Sequence, residues 1–267
     1  MAQRPVVTQL CMKATRAVLS ILVGLGFAAC GDDSSGSAAN QADAGGIDTP
    51  KHDVPCTDDS VKMLVLFDKP SDAPVRLESS DQGTFKQFVD ATAGGLTPTM
   101  SFVYAHFTDK GLEQVDISDE DAFTSLDWDI AFRRYVIRLN SGVSGPGDVT
   151  AARTAPATTF DSLKAVPDDL DYRSEEYFTQ DCTFVSDGSG MVGGPGTALA
   201  SYWSYKMCLA MTHNVYVIQV DRPKQRHIKF EVTSYYTPTN QQTCDTTGEV
   251  PTPTGAANMR MQWAFLD

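Results

Sequence analysis

The sequence predicts an all-β domain of mainly antiparallel strands, with long loops and one or two short helical turns. Three observations predict it. Its apolar stretches are short, β-branched or aromatic, and separated by Gly, Pro, Asn or Asp. The segment His227–Tyr236 alternates Ile228, Phe230 and Val232 on one face with His227, Lys229 and Glu231 on the other, the pattern of a half-buried antiparallel strand. Helical periodicity is scarce. In chain order the candidate strands are Val61–Phe67, Thr99–Phe107, Trp128–Asn140, Ala198–Met207, Asn214–Val220, His227–Tyr236 and Met259–Phe265. Ser118–Ser125 opens with a capping signal, Asp121 standing three residues after Ser118. Asp161–Val166 has room for one helical turn before Pro167 stops it.

The amino terminus is a targeting segment. Arg4, Lys13 and Arg16 precede the apolar run Ala17–Ala29, which is shorter than the ~20 residues a membrane span needs. Residues 1–29 therefore fit a signal peptide. Small residues before Cys30 (Phe27-Ala28-Ala29-Cys30) resemble a bacterial lipobox, so Cys30 is expected to carry lipid and anchor the chain to a membrane. Small polar residues after Cys30 make residues 30–56 a flexible tether, leaving 57–267 as one β domain.

Charge narrows the partners. The whole chain carries −13, and removing the first 29 residues leaves 18 basic against 34 acidic side chains, or −16. No basic footprint exists for nucleic acid, nor a general attraction to an anionic membrane surface. Cys11 leaves with the signal and Cys30 takes the lipid, so Cys56, Cys182, Cys208 and Cys244 are expected to form two disulfides. Of three connectivities, Cys182–Cys208 with Cys56–Cys244 is expected, because it cross-links the most separated segments. The cysteines lack the paired spacing of a structural zinc site.

Several motifs read as plain structure. The run Asn140–Gly147 lacks the helix or Lys-Ser/Thr pair of a phosphate loop, and Pro146 removes an amide donor, so it reads as a tight loop. Asp168, Asp169, Asp171, Glu175 and Glu176 read as solvated surface. Asp187-Gly188-Ser189-Gly190 lacks the GxSxG spacing of a hydrolase elbow, and the chain is not read as an enzyme. His52 falls in the tether, His227 on a polar strand face, His106 beside packed aromatics and His213 at a turn. Met191 on a glycine-rich loop, Met207 at the end of an aromatic strand and Met211 just beyond it are either gap fillers or soft ligands.

The block from Leu126-Asp127-Trp128-Asp129-Ile130-Ala131-Phe132-Arg133-Arg134-Tyr135 into the Asn140–Gly147 loop resembles the signature of the HmuY family of bacterial haem-binding lipoproteins. The aromatic strand around Trp203, the strands at Val215–Ile218 and Ile228–Tyr236, and the terminal strand Met259–Phe265 extend that resemblance over Val61–Asp267. It implies an HmuY-like β fold that binds haem between two loops and passes it to an outer-membrane receptor, on a lipid-anchored protein of the outer membrane or cell surface. Family members take two axial ligands, His or Met, from the loop after the glycine-rich region and from the end of the next aromatic strand. Here the first loop holds no histidine, so Met191 and Met207 become the expected haem-iron ligands, with Met211 and His213 in reserve for the second. Tyr202, Trp203, Tyr205 and Val185 are expected to grip the macrocycle. The rival expectation is an interaction module of the same fold without haem.

Overall fold

The computed structural model describes residues 54–266 apart from 96, 192 and 221–224. The expected signal peptide, Cys30 and nearly all of the tether lie outside the described residues.

Strands β1 (Val75–Asp81), β2 (Thr84–Asp90), β3 (Val103–Thr108), β4 (Gly111–Val115), β5 (Ile130–Arg133), β6 (Val136–Leu139) and β7 (Thr150–Arg153) are followed after a long connection by β8 (Trp203–Tyr205), β9 (Leu209–Met211), β10 (Tyr216–Val220), β11 (Arg226–Ser234) and β12 (Asn258–Phe265). They make a six-stranded sheet in the order β1-β2-β12-β11-β10-β7, a four-stranded sheet β4-β3-β5-β6, and the hairpin β8-β9. Every strand pairing in them is antiparallel. The two larger sheets share one core. Val103, Ala105 and Phe107 of β3 meet Phe230, Met261 and Trp263 of the opposite sheet, and the Trp263 ring lies 5.0 Å edge-on from Phe107.

The expected alternation in β11 holds on its buried face, where Ile228, Phe230 and Val232 are almost fully enclosed. Its polar face is not solvated. Lys229 is 8 % exposed because the segment after β7 folds back over it, and Glu231 is 7 % exposed between His213 and Gln262. The Lys229 Nζ donates to the carbonyls of Phe160 (3.0 Å) and Leu163 (3.2 Å) and stands over the Phe160 ring. Phe160 and Leu163 close a second apolar layer with Val215, Val217, Ala264 and Leu266.

Three expected elements differ. Val61–Phe67 belongs not to a strand but mostly to helix α1 (Thr57–Leu64), whose Asp58 and Asp59 in the first turn and Lys62 in the last suit the helix dipole. Trp128–Asn140 is the hairpin β5–β6, folded at Arg134 and Tyr135, with Arg134 in the left-handed region (φ 54°). Ala198–Met207 is regular strand only from Trp203 to Tyr205. The capping signal at Ser118 is borne out: α2 (Asp119–Ala122) starts there, the Ser118 hydroxyl accepting from the Asp121 amide at 3.0 Å. Asp161–Val166 forms turns and no helix. Helix α3 (Pro238–Thr247) was not foreseen. It begins on proline and ends at Gly248, yet buries only Gln241 and Cys244, so it shows no apolar stripe.

The two disulfides exist with a different pairing: Cys56–Cys182 and Cys208–Cys244. The first joins the start of α1 to the turn between Phe178 and Phe184, and the second joins the β8–β9 hairpin to α3. Neither spans the segments that the expected pairing would have linked, because β9 already lies against α3: Gln241 donates to the Leu209 carbonyl and Asp245 accepts from the Met211 amide.

The loop Asn140–Gly147 is the tight turn expected. The Asn140 side chain donates to the carbonyls of Ser125 and Trp128 and accepts from the Gly147 amide. Gly142 sits at φ 51°, where a Cβ would collide with the Glu175 carbonyl. That carbonyl belongs to a residue read from sequence as surface, and here the reading fails. Glu175 is fully buried, accepting from the amides of Leu139 (2.8 Å) and Ala198 (3.3 Å). It stitches an irregular segment to β6.

Burial pushes the Glu175 carboxyl up to about 7 against the opposing pull of the Leu139 and Ala198 amides and of Arg138 and Arg173. The folded state thus keeps a proton that the unfolded chain releases near 4.5, so this group lowers stability as pH rises from about 4.5 to 7. The size is on the order of 3 kcal/mol. Glu175→Gln should remove that loss: in urea unfolding at pH 5 and pH 8, wild type should lose more stability than the variant. A difference between the two proteins that is unchanged with pH would contradict the assignment.

Candidate functional site

The loop carrying Met191 is built by one carboxylate. Ser186 bridges to Pro195 at its base, and the Asp187 amide donates to the Gly194 carbonyl at 2.9 Å. Asp187 Oδ1 then accepts from both the amide (2.9 Å) and the hydroxyl (2.7 Å) of Ser189, whose Oγ accepts from the Met191 amide at 3.2 Å. A Cβ at Gly194 would strike the Asp187 carboxylate, so glycine there lets the loop close on it. Asp187 and Ser189, together a weak catalytic resemblance in sequence, are buried turn-makers.

The second element is the β8–β9 hairpin. Its tip is Lys206-Met207-Cys208, closed by the Lys206 amide on the Cys208 carbonyl (2.8 Å), with Met207 at φ 67° and 84 % exposed. The tip is tethered by Cys208–Cys244 and by the Leu209 amide on the Tyr236 hydroxyl. Loop and hairpin are joined directly, since the Tyr205 amide donates to the Ser189 carbonyl at 2.8 Å.

Register separates the candidate ligands. Tyr205 pairs with Leu209 beside the tip, while Trp203 pairs with Met211 at the base. Two strand steps, about 7 Å, lie between those rows. The Met191 loop meets the hairpin at the Tyr205 row, the Met207 end. Met191 is partly buried and packs against the main core. Met211 is at the far end and 7 % exposed within the core. His213 lies beyond it, its Nδ1 2.8 Å from Glu231 Oε1, and that carboxylate holds the imidazole pKa above its ordinary value. The remaining histidine at a packed position, His106, places Nδ1 2.6 Å from buried Asp129.

The aromatic grip expected from sequence is only partly present. Tyr202 and Trp203 are each 3 % exposed; the Tyr202 hydroxyl donates to the Tyr135 carbonyl and the Trp203 ring packs edge-on against Tyr135. Tyr205 is the exposed ring beside Met207, and Val185 is half-buried.

Sequence reading missed a second arrangement, on the outer face of the four-stranded sheet. Tyr104, Ala131 and Arg138 stand in one cross-strand row. The small Ala131 lets Arg138 reach across to the Tyr104 hydroxyl. Asp119 lies at the centre, fully buried, accepting from the amides of Phe67 (3.0 Å) and Phe102 (2.8 Å), the Tyr104 hydroxyl (2.6 Å) and Arg133 (3.0 Å). Burial lowers Arg133 to about 10, with Asp119 holding it up, so it stays charged at neutral pH. The signal available was alternation itself: Ala131 and Arg133, and Val136 and Arg138, fall on the same faces of their strands.

Among the described residues no three or more His, Cys, Asp and Glu side chains gather as a metal site, and no helix is long and apolar enough to cross a membrane. What the fold defines is an antiparallel β protein presenting a carboxylate-built loop beside a disulfide-tethered hairpin. The chain belongs to the HmuY family, whose profile matches residues 99–249, more than half of the sequence. Among solved structures it is similar to a protein assigned as a lipoprotein from Bacteroides fragilis, at 13% identity and TM-score 0.44 over 70% of this chain and 94% of that one. It is also similar to a protein assigned as HmuY-like and heme-binding from Bacteroides vulgatus (16%, TM-score 0.43, 70% and 96%). A third similar structure is an apo HmuY analog from Tannerella forsythia (14%, TM-score 0.38, 73% and 98%). Comparison with curated proteins gives no match.

Asp187→Ala should leave the Ser189 amide without its acceptor and cost about 1–3 kcal/mol locally. Hydrogen exchange checks it: protection should fall at Ser189 and at Tyr205, whose amide partner is carried by this loop, while β10 and β11 stay protected.

Proposed function

We propose that this chain is a cell-envelope lipoprotein, anchored through Cys30 and tethered by residues 30–56, that binds haem between the Met191 loop and the β8–β9 tip for haem acquisition. It acts by binding, with no catalytic step, and hands the haem to an outer-membrane receptor. One observation carries the reading: in a member of the HmuY family, a methionine stands 84 % exposed on a hairpin tip hydrogen-bonded to a second methionine-bearing loop. A thioether so placed has no packing role. Met191 and Met207 would hold the iron, and Tyr205 would cover one side of the macrocycle. Haem supplies the iron, and thioether ligation favours its ferrous state. Met211 and His213 are less suited, the first enclosed in the core and the second paired with Glu231 at the opposite end of the hairpin.

Hemin titration of the domain tests this. A saturable Soret change with a low-spin spectrum is expected, retained at mildly acidic pH where a histidine ligand would protonate (reference pKa ~6.5). Met191→Ala and Met207→Ala should each weaken binding at least tenfold, while Met211→Ala and His213→Ala should not. If wild type shows no saturable low-spin complex, the reading falls and an interaction module without haem takes its place.

The anchor is tested on the full chain in a bacterial host. Labelled palmitate should be incorporated by wild type and lost in Cys30→Ala; labelling that survives the substitution would refute lipidation at that residue.

A further inference from the structure

The buried network on the outer face of the four-stranded sheet opens into a cleft of about 570 Å³, away from Met207 and the hairpin tip. Its walls are mainly apolar, among them Val65, Phe67, Phe102, Tyr135 and Val136, with Gly193–Pro195 along one rim. Three arginines, Arg133, Arg134 and Arg138, and Lys62 line it as well, and of these Arg138 is the one buried almost completely. Arg138 is 1 % exposed, yet its Nε and Nη1 have no hydrogen-bond partner. Its Nη2 meets the Tyr104 hydroxyl and lies 3.7 Å from Asp119, which is already paired with Arg133. Buried donors left unmade are costly, and more so when charged, so native proteins rarely keep them without a ligand or solvent to fill them.

A second, independent feature lies at the cleft's lip. Val65 closes α1 in the left-handed region (φ 50°, ψ 69°), unfavourable for a β-branched residue, and is 58 % exposed despite being apolar. Strained backbone of this kind concentrates at ligand sites.

We infer that this cleft binds an amphipathic carboxylate, its head on Arg138 and its apolar body between Phe67, Tyr135 and Val136. The planar, two-oxygen head matches a guanidinium. The walls suit a hydrocarbon better than a small hydrated anion, and the volume is that of a small-ligand site. The other acid facing Arg138 is Glu175, already engaged by the Leu139 and Ala198 amides. The cleft shares Gly193–Pro195 with the Met191 loop but uses neither methionine, so Met191→Ala and Met207→Ala, which test the haem reading, should leave decanoate binding unchanged.

Calorimetric titration with decanoate, and with decanol as the uncharged control, tests it on the wild-type domain. Decanoate should bind saturably and at least tenfold more tightly than decanol. Arg138→Met should weaken decanoate at least tenfold. Should that variant fail to fold, Val136→Trp, which narrows the cleft from its wall and keeps Arg138, should do the same. Iron-free protoporphyrin, whose carboxylates sit on a porphyrin, forms the second arm. Competition with decanoate assigns the head group to a porphyrin and independent binding assigns it to a free acid; either supports the cleft. No saturable decanoate binding, equal affinity for decanol, or wild-type affinity in Val136→Trp overturns the inference.

Discussion

The Asp119 carboxylate is the group on which one whole side of the molecule is hung. It is fully buried, and its partners come from distant parts of the chain: the segment before β1, the entry to β3, β3 itself and β5. Enclosing a carboxylate costs several kcal/mol, offset here only because backbone amides, a hydroxyl and a guanidinium all converge on it. Take it away and two guanidiniums remain in apolar surroundings without a counter-charge, Arg133 keeping the Leu64 carbonyl, Arg138 the Tyr104 hydroxyl, and both the face of Phe102. Breaking a buried pair in this way costs about 3–5 kcal/mol.

The same device recurs wherever the chain leaves its sheets. Asp129 accepts from the Phe107 amide and faces His106, Glu175 holds Leu139 and Ala198, and Asp187 organises its own loop. Between β7 and β8 the described residues contain no regular strand, only isolated bridges such as Phe178–Phe184 and Ser186–Pro195. Backbone donors there are met by turn and bridge carbonyls and, at Ser189 and Ala198, by the buried carboxylates of Asp187 and Glu175. The acidity of the sequence is therefore partly architectural.

This explains what could and could not be read beforehand. Strands with one apolar face against the shared core were legible: β3, β10, β11 and β12 announced themselves by alternation and β-branched content. So was the turn Asn140–Gly147, and Ser118 as a cap. Elements held by polar side chains were not. The strand β1 is exposed along almost its whole length, and α3 buries a glutamine and a cysteine. Glu175 looks in sequence like any other member of an acidic run, because burial is decided by the Gly142 turn that contacts it from thirty residues away. At the candidate site, the methionines were visible as residue types. Which end of the hairpin each occupied depended on the Trp203–Met211 register, and a one-dimensional pattern does not carry that.

The two disulfides link the first cysteine of the domain to the second and the third to the fourth, with separations of 126 and 36 residues. Their loops follow one another along the chain and neither encloses the other. For a polypeptide delivered amino end first into an oxidising compartment, order of arrival alone yields this arrangement: Cys56 and Cys182 meet before Cys208 is present, and Cys208 finds Cys244 as its remaining partner. The nested pairing would have required Cys56 to wait, reduced, for the last cysteine. For a chain delivered in that way, consecutive pairing of this kind needs no exchange between partners to reach the native set.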